Sequence, residues 1–205
     1  MIAHTWGLLF DATQEWTAIH SRQYSIARIY AGLVLILALI PPLCGFIGTT
    51  QIGWQIGVGP LVKLSVRSAL PIAVLYYLAI LVGVAGIGAM IYWMTRTYGA
   101  EQPLSQCVAL AAFAGVPLLL VGAVQLYPLL WLNLLFGMAA LGLNIRLLYI
   151  GVPIMMEIPP ERGFLFASAI LGLGLVALVS FLAGTAILWD VGFSPEFVRT
   201  LPAGQ

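Results

Sequence analysis

Residues 102–145 read QPLSQCVALAAFAGVPLLLVGAVQLYPLLWLNLLFGMAALGLNI, and the number of helices in this chain turns on them. The 44 residues contain no Asp, Glu, Lys or Arg. At a rise of about 1.5 Å per residue, one unbroken helix of that length would reach about 66 Å, whereas a bilayer core of about 30 Å takes about 20 residues. Two crossings fit and one does not. Gln125-Leu126-Tyr127-Pro128 supplies the turn, because Pro128 has no N–H and turns the residue before it away from helix.

Working outward, residues 29–62, 68–95 and 163–189 are also free of Asp, Glu, Lys and Arg. Each supplies one further crossing. The spacing predicts an all-α fold, a polytopic membrane bundle of five transmembrane helices with an N-terminal amphipathic helix. The spans are expected at 28–49, 70–94, 104–126, 129–151 and 164–188. They divide the chain into an N-terminal cytoplasmic segment, 1–27, a transmembrane domain, 28–190, and a short outer tail, 191–205.

Composition agrees with this class. The chain has 62% hydrophobic and 7% charged residues, against about 45–50% and about 25% in soluble domains. Mean hydropathy is +1.06. A net charge of +1 without any Lys/Arg run excludes nucleic acid as a partner and leaves the lipid bilayer as the main one. The charged residues ahead of the first apolar run, with no small-residue cleavage site after a short one, do not read as a secretory signal.

The positive-inside rule leans toward a cytoplasmic N-terminus and an outer C-terminus. That orientation puts Arg22, Arg28, Arg96, Arg146 and Arg162 inside, with Lys63, Arg67 and Arg199 outside. Between the first two spans, LVKLSVRS fits either an interfacial helix or a short extended piece. Cys44 and Cys107 differ in depth by about 16 Å, beyond the reach of a disulfide.

The segment DATQEWTAIHSRQYSIARIY reads as an amphipathic helix leading into the first span. Asp11 with Gln14 fits a capping pattern, and Trp16, Ile19, Ile26 and Tyr30 recur at helical spacing. Such a helix lies in the inner interface, with Trp16 and Ile19 as anchors toward lipid or the bundle. Pro41-Pro42, Pro117 and Pro153 predict bends in three spans. Gly83, Gly86 and Gly88, and the pairs Ser168/Gly172 and Ser180/Gly184, favour close helix approach.

The fourth span is the most polar. Asn133, Gly137, Ala140 and Asn144 share one helical face, and Gly142, Arg146, Tyr149 and Pro153 share another. Arg146 snorkels to the interface, pairs with Glu157, or contacts a substrate or ion. The asparagines read as interhelical hydrogen bonds or as a pathway. Catalytic motifs, paired intramembrane carboxylates and metal-ligand spacings are missing, so no enzyme activity and no cofactor are expected. His4 and His20 read as isolated interfacial residues.

After the fourth span comes YIGVPIMMEIPPERGF, residues 149–164. Gly151 and Pro153 can end or bend the helix, Met155 and Met156 can lie along the interface beside Glu157, and Pro159-Pro160 stops any continuation. Pro160 suits the first position of the next helix and Glu161 its first turn, where an acid meets the helix dipole, with Arg162 following. The stretch is either a turn alone or a turn that presents methionines and charges to a partner.

Four features in order, Trp16 with Ile19, LALIPPLCGFIGTTQIGW, QLYP and LLYIGVPIMMEIPPERGFLF, resemble the bacterial branch of the Yip family of five-span membrane proteins, named for interacting with Ypt/Rab GTPases. The resemblance covers about Asp11 to Gly192 and implies a cytoplasmic N-terminus and an outer C-terminus. The D-L-Y-G-P signature of the eukaryotic branch has no match, so a Rab-like role is not carried over. The resulting expectation is an inner-membrane scaffold or adaptor that assembles with itself or with another membrane protein. The alternative is a small-solute or ion transporter using the kinked helices and the region of Asn133, Asn144 and Arg146.

Overall fold

The computed structural model describes residues 2–54, 62–190 and 197–199. Among the described residues five helices are long and apolar enough to cross a membrane, beginning with Ile26–Ile52, Val66–Tyr98, Leu104–Leu126 and Leu130–Met156. The fifth helix is Pro160–Asp190. Two short helices precede them, α1 (Ile2–Phe10) and α2 (Ala12–Arg22). The fold is thus an all-α polytopic bundle. Its only described strands are β1 (Val62–Leu64) and β2 (Phe197–Arg199), which pair antiparallel with Lys63 opposite Val198. The extended alternative for LVKLSVRS is therefore the one adopted as far as Leu64, before Ser65 caps the second helix.

Backbone chemistry sets the boundaries. Asp11 accepts the Gln14 N–H at 3.2 Å to start α2, and Gln23 closes it in the left-handed region at φ 40°. Ser25, in extended conformation, then caps the first span. The N-terminal helix is thus separated from the first span rather than leading into it. Pro160 opens the fifth helix and Glu161 occupies its first turn, as their residue types dictate.

Two of the three bends expected at prolines are breaks. In the first span the α-helix lapses at Ala38-Leu39 and resumes at Ile40, because Pro41 and Pro42 cannot donate to the carbonyls four residues earlier. In the third span it lapses at Gly115, beside Pro117, before a short helix and a terminal 3-10 turn. The two broken spans pack on each other. A Cβ at Gly122 would lie 2.4 Å from Pro41 Cγ. Pro153 behaves differently: the fourth helix runs through it to Met156 and stops where Glu157 turns left-handed at φ 53°. The helix thus continues past residue 151, because Pro153 lies so near its end that only the Tyr149 carbonyl loses its donor.

The buried core gathers at the end of the bundle that carries the N-terminal helices. Trp16, Ile19, Leu33, Ile91, Leu110, Phe113, Met155, Met156 and Phe166 belong to it. The far ends of the helices are open, with Leu130 82% and Ile187 63% exposed, as suits surface covered by lipid. Most candidate small-residue contacts face open space within the chain: a Cβ at Gly83, Gly86, Gly172 or Gly184 would meet nothing within 4 Å. Gly88 is the exception, lying against Val108 of the third span. Cys44 and Cys107 are free.

Candidate functional site

The densest set of polar contacts surrounds α2. His20 Nε2 lies 2.8 Å from a carboxylate oxygen of Glu157, the residue that ends the fourth helix. The His20 carbonyl accepts from Gln106 Nε2 at 3.1 Å, at the start of the third span. One turn earlier on α2, the Trp16 ring covers Gly151, where a Cβ would come within 2.6 Å of it. It also meets Phe113 edge-on, ring centres 6.5 Å apart.

These contacts fix the direction of α2. The order Trp16 then His20 follows Gly151 then Glu157 along the fourth helix and Phe113 then Gln106 in reverse along the third. Phe113 and Gln106 are about 10 Å apart along their helix. α2 therefore stands upright in the groove between those two spans instead of lying flat at the interface. Trp16 and Ile19, expected as anchors, are both 0% exposed and turned into the bundle. The face left outward is polar and includes Thr13, Gln14, Thr17 and Ser21. Among the described residues, Trp16 Nε1 and His20 Nδ1 are buried without a hydrogen-bond partner. Shape, the Glu157 contact and the Gln106 hydrogen bond hold α2, at the cost of two unmade hydrogen bonds.

A second His–Glu pair joins α1 to α2. His4 Nδ1 lies 2.5 Å from Glu15, and His4 Nε2 is 3.3 Å from the Tyr24 hydroxyl, which also accepts from Arg22. Gly7 leaves room for the Glu15 carboxylate. His4, Glu15, His20 and Gln106 escape a reading of the sequence because each partner lies on another element. The only hint is the placement of both histidines within one turn of an acid or an aromatic on a short helix.

The fourth-span asparagines serve as backbone caps. Asn144 Nδ2 donates to the Ala114 carbonyl at 2.8 Å, beside the break in the third span. Asn133 Nδ2 donates to the carbonyls of Tyr127 and Leu129 at 2.9 and 3.0 Å, closing the turn between the third and fourth spans. The Tyr149 hydroxyl and Ser168 Oγ are 2.9 Å apart. Arg146 is exposed and makes no ion pair among the described residues. Its expected partner Glu157 is taken by His20.

The turn after the fourth helix divides into two parts. Met155 and Met156 are 0% and 1% exposed, so they are core residues and not a presented surface. The continuing helix turns them inward instead of laying them along the interface. Gly151 is buried under Trp16, and Pro153 touches Gly163 of the fifth helix. Glu157, Pro159, Pro160, Glu161 and Arg162 are exposed, with the Arg162 guanidinium over Gly99 in the loop between the second and third spans. Among the described residues no group of three His, Cys, Asp or Glu side chains could hold a metal.

This architecture has close sequence counterparts. Residues 6–181 match the Yip1 domain. Over 192 residues the chain is 42% identical to the inner membrane protein YohC of Escherichia coli strain K12, covering 94% of this chain and 98% of that protein. The same figures hold for YohC of Escherichia coli O6:H1 strain CFT073. No solved structure matches. Running from α1 into the fifth helix, the domain match takes in the first four membrane-spanning helices and most of the fifth, and the chain belongs to the Yip1 domain family.

Proposed function

We propose that this integral membrane protein is a non-enzymatic scaffold or adaptor of the bacterial inner membrane, with a cytoplasmic N-terminus and an outer C-terminus. It assembles with a second copy of itself or with another membrane protein. One observation carries the reading: apart from Arg146, the polar side chains of the fourth span, Asn133, Asn144 and Tyr149, are engaged in capping turns and joining helices. A transporter needs such groups free to meet a solute in a wet cavity. The names of the Escherichia coli relatives support the inner membrane, and the five-to-three distribution of Lys and Arg supports the orientation.

The surface that fits a partner is the charged turn Pro159–Arg162 with the polar face of α2 on the same end of the bundle. Native co-purification in mild detergent followed by mass spectrometry tests the reading. An adaptor recovers a partner, or its own second copy, in stoichiometric amount. Monomeric protein without a partner, together with solute uptake in reconstituted vesicles, would overturn it.

A further inference from the structure

Helix α1 has one face that meets no partner among the described residues, and that face is aromatic. Thr5 and Leu8 turn inward, while Trp6 is 62% and Phe10 82% exposed, one helical turn apart. α1 cannot swing freely, because His4 is clamped to Glu15 at 2.5 Å and its ring meets Phe113 at 6.4 Å. Wherever α2 stands in the membrane, Trp6 and Phe10 are presented beside it.

The level of α2 follows from the fourth helix. Trp131, at its outer start, is 65% exposed, and a core of about 30 Å, about 20 residues of helix, reaches from there to Gly151. Trp16 of α2 lies on that glycine. Next to it Phe164, 58% exposed, stacks on Tyr149 at 5.1 Å. Aromatic rings thus stand at both ends of one hydrocarbon thickness, where Trp and Tyr, apolar bodies with a polar edge, are most stable. The α1–α2 hairpin is attached at the second of these levels.

We propose that α1 is seated in the lipid leaflet on the N-terminal side, with Trp6 and Phe10 inserted at the boundary between headgroups and acyl chains. The occupant is lipid because the face is continuous in level with the lipid-covered surface of the spans. It would otherwise hold two large rings in water. Arg22 is exposed on the same hairpin and donates at 3.3 Å to the Tyr24 hydroxyl, which also meets His4. Anchoring thus passes from Trp16 and Ile19, which hold α2 to the bundle, to Trp6 and Phe10.

Tryptophan quenching in reconstituted phosphatidylcholine vesicles tests this. The Trp6 emission is the component lost on Trp6→Phe, and Phe10→Trp adds a second reporter on the same face. Lipid brominated near the carbonyl end of its chains should remove most of the emission of both, lipid brominated at mid-chain less, and aqueous iodide almost none. Strong quenching by iodide would overturn the proposal by placing the face in water. Resistance to both lipid and iodide would overturn it by placing the face against protein, such as a second copy.

Discussion

Replacing Gly151 by alanine should detach the N-terminal hairpin, although alanine is the better helix former. The added Cβ would sit 2.6 Å from Trp16 Cε2 and 2.9 Å from Cζ2 and Nε1. The indole is fully buried, with Phe113 against its edge, so it has no easy retreat. Overpacking of this kind costs about 1–3 kcal/mol, against a gain of about 1 kcal/mol from helix propensity. Gly142 on the same helix is the control, since a Cβ there meets nothing within 4 Å. Gly142→Ala keeps the propensity gain without the clash, so the two variants should differ in unfolding free energy by about 1–3 kcal/mol. Docking of α2 feels only the clash, an increase of about 5–150-fold in the undocked population. Trypsin cleavage after Arg22 in detergent-solubilised protein reads that population, and thermal unfolding reads the global effect. Adding Trp16→Phe to Gly151→Ala should restore part of the protection. If Gly151→Ala matches Gly142→Ala in both assays, the seating of Trp16 on Gly151 is refuted.

Three further outcomes follow from other contacts. Asn144→Leu leaves the Ala114 carbonyl without its donor and should cost about 1–3 kcal/mol in thermal unfolding; an unchanged melting temperature would show that the carbonyl is satisfied otherwise. Arg146→Lys should leave expression and thermal stability almost unchanged, because the side chain is exposed and no ion pair among the described residues requires a guanidinium; a large loss in protein that still inserts would assign it a geometric role. Reporter fusions after Gln205 and after Tyr98 should report opposite sides of the membrane, and equal signals would contradict five crossings.

The helix count was legible because charge is expensive in hydrocarbon, so charge-free runs mark the crossings, although the fourth also takes in Arg146. Pro160, Glu161 and the break beside Pro117 were legible for a similar reason: each expresses a local backbone rule. What the sequence hid depends on contacts between distant residues. Gly83 and Gly88 look alike in the second span, yet only Gly88 meets a neighbour, Val108. Met155 and Met156 resembled an adaptable surface until the helix was seen to continue through Pro153, which turns both inward. His4 and His20 looked isolated because their acids lie 11 and 137 residues away. The same distance concealed the posture of α2, since an apolar stripe of Trp16 and Ile19 serves a flat interfacial helix as well as an upright packed one.

Cysteine cross-linking in native membranes probes this upright posture of α2. With Cys44 and Cys107 replaced by serine, a short bifunctional thiol reagent should join His20→Cys to Glu157→Cys, whose native side chains are 2.8 Å apart. It should not join Thr13→Cys to Glu157→Cys, because Thr13 stands seven residues, about 10 Å, back along α2 from His20. Efficient linkage of the first pair alone is the predicted result. Equal linkage of both pairs, or of neither, would contradict an α2 that stands upright against the third and fourth spans.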